Sequence, residues 1–165
     1  MRAFFLEQNE ISFVTELEET SPKVMLLAAA SYFESLVTAC ILDFYDTATG
    51  SNELARAFVE KKALQRQYHA LFNWDTRAPN QFWSLFGKGF KKYASDRLAA
   101  DDDLTESAAA FLEIGSLRNQ LVHGNFASFM LNKTTSELYE LAQRALQFVG
   151  VIATFMQEYV PVVDD

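Results

Sequence analysis

The longest regular pattern in the chain lies between Pro22 and Gly50. Ser21 and Pro22 suit the N-cap and first position of a helix, and Gly50 suits its end. Between them, apolar residues recur at steps of three and four, which places them on one helix face. They are Leu26, Ala29, Ala30, Phe33, Leu36, Val37, Cys40, Ile41 and Phe44. This predicts a helix to about Ala48 that packs along its whole length and therefore requires other packed layers around it.

The composition favours helices for those layers as well. Only 6 of the 165 residues are glycine and 3 are proline, while half are apolar. This composition favours long helices over a turn-rich β fold, and the length suits one domain with its own core. We expect a single domain over residues 1–165, an all-α helical bundle of about four main helices plus short helices, with residues 1–20 as an N-terminal arm or short helix.

Capping residues place the other helices. Asn52, Asn80 and Thr134 each precede a segment with helical spacing, and Thr134 with Glu137 forms a capping box, as does Asp103 with Glu106. The predicted helices cover residues 53–72, 80–86, 104–123 and 136–159.

Several protein classes are excluded at this stage. The single cysteine, Cys40, cannot form an intrachain disulfide, which fits a reducing compartment. The N-terminal residues lack the apolar region and cleavage site of a signal peptide. No uninterrupted apolar run reaches the ~18 residues needed to cross a bilayer. We therefore expect a cytoplasmic protein without a membrane partner.

The charge is unevenly distributed. A net charge of −8 argues against non-specific nucleic-acid binding as the main function. Residues 56–97, however, carry nine basic and three acidic side chains, a net of +6, whereas the remainder carries five basic and nineteen acidic, a net of −14. A basic middle can guide a polyanion to one side of the molecule. Ordinary solvated helix faces would give the same pattern.

The segment Leu117–Phe126 holds the strongest candidate for a reactive site. Asn119 and His123 are one helical turn apart and share a face, and Gly124 is expected to end the helix with a positive φ. Arg118 can bind a phosphate through its guanidinium fork, and His123 can transfer a proton near neutral pH. The same residues would also fit a solvated face with a cation at the helix C-terminus.

Arg118, polar Asn119 and then His123 resemble the R-x4-6-H motif of the HEPN (higher eukaryotes and prokaryotes nucleotide-binding) superfamily. The long early helix, the motif on a late helix and the closing helix resemble that family too, over residues 23–159. Many HEPN domains are metal-independent ribonucleases of toxin–antitoxin and phage-defence systems. Some carry a tyrosine two residues after the histidine; here that position is Asn125, so its role does not transfer.

The resemblance implies a function for each motif residue. His123 would be the general acid or base, Arg118 would stabilise charge on the phosphate, and Asn119 would orient the phosphate or His123, with no metal or cofactor. Acidic residues on the early helix of HEPN domains approach this pair, which makes Glu34 a supporting candidate; an exposed Glu34 is the alternative. The resemblance also implies an RNA substrate, a homodimer with facing motifs and an antitoxin or defence partner. A non-catalytic interaction or RNA-binding module is the rival function.

Four of the basic residues of the stretch 56–97 lie at its end, in GKGFKKYASDRL, residues 87–98. We predict that Lys88, Lys91, Lys92 and Arg97 contact the RNA backbone, with neighbouring aromatic rings available for stacking. A helical corner with its aromatic residues in the core would explain the segment equally well. We expect His69, which has no motif around it, to be a structural or surface histidine.

Overall fold

The computed structural model describes residues 10–161, and every regular element in that range is helical. The all-α class is therefore confirmed. In chain order the elements are α1 (Ile11–Thr49), α2 (Glu53–Val59), a π-helical segment (Glu60–Leu64), α3 (Tyr68–Leu71), α4 (Asn80–Ser84), α5 (Lys88–Ala99), α6 (Asp102–His123) and α7 (Thr135–Glu158).

Three long helices form the centre of the bundle. α6 packs along α7, and α1 packs against both of them, while α5 lies against α6. Aliphatic side chains and a cluster of aromatic rings fill the space between the helices. The largest fully buried side chains include Trp83, Phe82, Phe111, Phe148 and Phe155.

The start of α1 differs from the prediction. The helix begins at Ile11 instead of Pro22, so residues 11–20, expected in a separate arm, belong to it, and Pro22 lies inside. A proline removes one backbone hydrogen bond from a helix, although its fixed φ is helical. Val14 and Pro22 are both buried, so tertiary packing favours the continuous helix. The first nine residues of the arm lie outside the described residues. The predicted end is confirmed, with Gly50 left-handed at φ 63°.

α1 is long and apolar enough to cross a membrane, judged by length and composition alone. An 18-residue window within it has a mean hydropathy of 1.8. The window contains isolated polar residues that lower its mean hydropathy only a little, so no uninterrupted apolar run within it has that length. The same helix supplies Leu26, Phe33, Val37 and Ile41 to the core.

The predicted helix over residues 53–72 is broken. Asn52 caps its start as predicted, accepting hydrogen bonds from two backbone N–H groups. After Val59 the chain enters the π-helical segment, where the N–H of Gln65 reaches the carbonyl of Glu60 at 2.8 Å. Arg66 then adopts a left-handed φ of 61° before α3 begins. The polar stripe of the sequence continues through this break and therefore gives no sign of it.

The other caps are partly as predicted. Thr134 and Glu137 form the expected capping box. The cap of α6 is Asp101 instead of Asp103, since the Asp101 carboxylate accepts from the N–H of Leu104. Asn80 is inside α4 and not its cap; its Oδ1 accepts a hydrogen bond from the Ser95 hydroxyl at 3.1 Å.

Candidate functional site

α6 ends at His123, as predicted, and carries the motif in its last two turns. Arg118 and Asn119 are half-buried, whereas His123 is exposed. Gly124 does not take the expected positive φ; at φ −89° and ψ −179° it is extended, and its N–H donates to the carbonyl of Gln120. The helix therefore ends because the chain turns into an extended loop, and no left-handed cap is needed.

A cavity of about 460 Å³ lies beside the motif. Its walls come from α1, from the segment 66–74 and from α6. Its polar lining consists of Glu34, Arg66, His69, Arg118, Asn119 and His123. Its aromatic lining consists of Phe33, Tyr68, Trp74 and Phe111. The structure thus brings the three motif residues and Glu34 to one cavity, together with an arginine and a histidine from another part of the chain.

Asn119 is bonded to the neighbouring arginine. The guanidinium Nη1 of Arg118 donates to the side-chain oxygen of Asn119 at 3.1 Å. This bond restricts the guanidinium while its other N–H groups remain available as donors, because an arginine has five of them. Asn119 is therefore placed to orient Arg118 towards the cavity.

The Tyr68 hydroxyl interacts electrostatically with charged groups of two cavity walls. Burial raises the pKa of its hydroxyl above the ordinary value, the Glu34 carboxylate raises it further, and the Arg118 guanidinium opposes both. Tyr68 therefore keeps its proton at physiological pH and can act as a hydrogen-bond donor. The same effects indicate that Glu34 and Arg118 lie close enough to the Tyr68 hydroxyl to interact with it electrostatically.

Trp74 holds the segment 66–74 against the motif helix. Its indole N–H donates to the backbone carbonyl of His69 at 2.8 Å. Its ring lies 5.6 Å from the ring of Tyr68 and 5.9 Å from that of Phe111, between centroids. The indole also occupies the space where a Cβ at Gly115 would stand. One tryptophan therefore fixes the distance between this segment and α6.

Lys23 fixes the loop that follows the motif. This lysine is only 6% exposed, and its ammonium group donates to the carbonyl of Phe126 at 2.9 Å. The ammonium also lies 5.2 Å from the centre of the Phe126 ring. Phe126 is 41% exposed, whereas Phe129 is packed against the core. The loop after His123 is thus tied to α1.

The sequence matches the family described as RiboL-PSP-HEPN over residues 2–158. The chain belongs to this HEPN family. Comparison with curated proteins and with solved structures finds no match. Membership confirms the resemblance to the superfamily and indicates an RNase-like or RNA-related module. The catalytic roles of Arg118, Asn119 and His123 stay predictions.

The basic residues predicted to bind RNA lie elsewhere on the HEPN domain. Lys88, Lys91, Lys92 and Arg97 are all on α5, and none of them lines the cavity. Lys92 pairs with Asp96 of the same helix at 2.6 Å. Arg97 pairs with Glu158 at 3.0 Å and stands over the ring of Phe155. Two of the four charges are therefore partly neutralised, and Lys88 and Lys91 remain exposed.

Sequence reasoning missed two of the six polar residues that the structure places in the lining of the HEPN cavity, Arg66 and His69. Arg66 and His69 lie about 50 residues before the motif, on a segment that was predicted to be uninterrupted helix. Their only sequence signal was that His69 is one of two histidines in the chain. Within residues 10–161, no group of three or more His, Cys, Asp or Glu side chains is arranged to hold a metal ion.

Proposed function

We propose that this protein is an endoribonuclease that cleaves RNA without a metal ion. Arg118, Asn119, His123 and Glu34 line one cavity, and this co-location is the observation that supports the proposal most directly. Two arginines and two histidines face a single carboxylate there, so the described lining favours an anion such as a phosphodiester. Tyr68 and Trp74 add half-buried rings on which a base can stack.

The chemistry follows from the groups at hand. The 2′-hydroxyl of a ribose attacks the adjacent phosphorus, and the bond from phosphorus to the 5′ oxygen breaks. The products are a 2′,3′-cyclic phosphate and a 5′-hydroxyl. One proton must leave the 2′-hydroxyl and another must reach the 5′ oxygen, and His123 would transfer one of them. Arg118, oriented by Asn119, would stabilise the negative charge that grows on the phosphate oxygens.

The proposal extends to the setting of the enzyme. A HEPN ribonuclease would fit the role of a toxin or phage-defence effector. It would act in the cytoplasm, have no membrane partner and be controlled by an antitoxin or defence protein.

We also propose a homodimer, since a two-fold interface would bring two copies of the segment Leu117–Phe126 together. Size-exclusion chromatography with light scattering tests this directly. A mass of one chain at micromolar concentration would contradict it.

A non-catalytic HEPN module that binds RNA or a protein is the second candidate. The net charge of −8 and the ion pairs of Lys92 and Arg97 favour it, because both weaken the attraction for a polyanion. Such a module would bind its partner without cleaving it, and its binding would survive removal of the His123 imidazole.

Single-turnover cleavage at saturating RNA separates the two candidates. His123→Ala should lower the rate on the order of 10²–10⁴-fold, because proton transfer is lost. Arg118→Ala should be similarly severe, and Arg118→Lys should rescue little, because an ammonium lacks the fork geometry. Asn119→Ala should be milder. Gln120→Ala is the matched control, since Gln120 is exposed on the same helix outside this cavity.

The outcome decides between enzyme and module. Cleavage by His123→Ala and Arg118→Ala at the wild-type rate would remove the catalytic assignment. A second experiment tests the chemistry: cleavage should persist in excess EDTA. Loss of cleavage in EDTA that one divalent ion restores would overturn the metal-independent mechanism.

A further inference from the structure

We propose that Arg66 and His69 form a second arginine–histidine pair, so that one protomer carries out both proton transfers of RNA cleavage. The inference rests on the proposed ribonuclease function and assigns two residues outside the motif. It also gives the pair a substrate group, the phosphodiester that Arg118 and His123 would contact in the same cavity.

The reaction needs two proton-transfer groups. A single histidine can remove the proton from the 2′-hydroxyl or supply one to the 5′ oxygen, but it cannot do both at the same moment. The motif offers only His123. The chain has one other histidine, and that residue lines the same cavity. A cavity of about 460 Å³ is of the size that encloses one small ligand, so both imidazoles can face the same phosphodiester.

The backbone before His69 is built in an unusual way. The π-helical segment Glu60–Leu64 ends α2, and Arg66 follows with a φ of 61°. This left-handed conformation is costly for any residue with a side chain, and such outliers cluster at functional sites. A glycine would adopt it more easily. The chain instead places an arginine there, and the arginine lines the cavity.

The position of His69 is fixed by its neighbours. Its carbonyl accepts the indole N–H of Trp74, whose ring is seated on Gly115 of the motif helix. The imidazole itself is exposed and therefore accessible to a substrate. The charged and titratable groups around this cavity are Glu34 of α1, Arg66 and Tyr68 of its own segment, and Arg118 and His123 of α6. Arg66 and Arg118 would hold the phosphate from two different segments of the cavity wall.

The first experiment removes the second imidazole. His69→Gln should lower the single-turnover rate on the order of 10²–10⁴-fold at saturating RNA and abolish one limb of the bell-shaped pH–rate profile. Gln67→Ala, an exposed neighbour outside the cavity, should cleave at the wild-type rate. Wild-type cleavage and an unchanged pH profile in His69→Gln would overturn the inference. If His123→Gln is inactive at the same time, the proposed function stands without it.

A modified substrate assigns the two roles. RNA with sulfur in place of the bridging 5′ oxygen releases a thiolate, which needs no proton from an acid because a thiol is far more acidic than an alcohol. If the two histidines divide the work, this substrate should restore the rate of one variant, His69→Gln or His123→Gln, and leave the other slow. Rescue of both or of neither would contradict the division.

A mixing experiment tests whether the pair acts within one protomer. His69→Gln and His123→Gln, coexpressed in equal amounts, should remain inactive together, because every cavity lacks one histidine. Recovery of activity would show that the two histidines come from different chains, which would overturn the single-protomer arrangement.

Substitution of Arg66 by glycine should change thermal stability and RNA affinity in opposite directions. Arg66→Gly relieves the left-handed strain and should raise the midpoint of thermal unfolding. It should nevertheless weaken RNA binding, by roughly tenfold to a hundredfold, because a charged hydrogen-bond donor to the phosphate is lost. Arg66→Ala should lose the same affinity without the gain in stability. Wild-type affinity in both variants would remove Arg66 from the proposed site.

Discussion

The indole of Trp74 occupies the position that a side chain at residue 115 would take. The contact lies one turn before Arg118 and joins two parts of the chain that are about 40 residues apart. Because Trp74 also bonds the backbone of His69, the fit between this ring and the bare helix surface determines where one wall of the cavity stands.

Gly115→Ala should therefore displace Trp74 and lower activity, although alanine favours helix formation. We expect it to destabilise the fold by about 1–3 kcal/mol, as other overpacked sites do. Gly150→Ala is the matched control, because Gly150 lies within α7 and a Cβ there would meet nothing within 4 Å. That variant should gain roughly 0.5–1 kcal/mol. Thermal unfolding and RNA cleavage measure both effects, and equal behaviour of the two variants would contradict the role of Trp74.

Lys23→Met should loosen the loop that follows the motif. The methionine keeps most of the buried volume, while the Phe126 carbonyl loses its donor and the ring loses its cation, at a cost of about 1–3 kcal/mol. Hydrogen exchange of the backbone amides of residues 126–129 should become faster. The exposed Lys88→Met serves as control and should leave exchange unchanged. Equal protection in both variants would argue against the tie.

Lys91→Glu combined with Lys92→Glu should weaken RNA binding and leave the chemical step intact. Loss of two phosphate contacts would lower the slope of log affinity against log salt by roughly 1.4, at about 0.7 per contact with single-stranded RNA. The rate at saturating RNA should not change, since α5 does not line the cavity. Binding titrations at several salt concentrations test this. An unchanged salt slope would mean that these lysines do not meet the RNA.

Acidification should weaken the start of α7. Hydrogen bonds from the Thr134 backbone N–H, then from its hydroxyl, lower the pKa of the Glu137 carboxyl. A lowered folded-state pKa gives stability that is complete above the ordinary glutamate pKa and is lost as the pH falls through the folded value. Glu137→Gln should therefore be less stable than wild type at neutral pH, with the difference shrinking towards acidic pH. Urea titrations across pH would reveal a constant difference if the assignment is wrong.

Capping residues predicted the helix termini that are determined by a few neighbouring residues. The C-terminal end of α1 follows from Gly50 and that of α6 from the segment around His123. The start of α7 follows from the capping box at Thr134. The start of α1 and the break after Val59 depend on tertiary packing, which overrides the rule for Pro22 and the polar periodicity of residues 53–72.

The candidate site divides in the same way. The residues found from the sequence lie within one short motif, apart from Glu34, whose isolation in an apolar helix drew attention to it. Arg66 and His69 reach the cavity through a left-handed residue and a π-helical turn, and neither has a reliable sequence signature. A site assembled from segments 50 residues apart therefore needs the structure to be complete.

The π-helical segment Glu60–Leu64 also links the number of residues in this turn to the position of His69. A π turn contains one residue more than the α turn it replaces. Removing one residue from this segment would restore the α register and rotate everything after it by roughly 100°. We expect family members that are one residue shorter here to have an unbroken helix and no histidine on this wall. The length of this one turn would then distinguish relatives that have two cavity histidines in each chain from relatives in which the partner protomer must supply the second histidine.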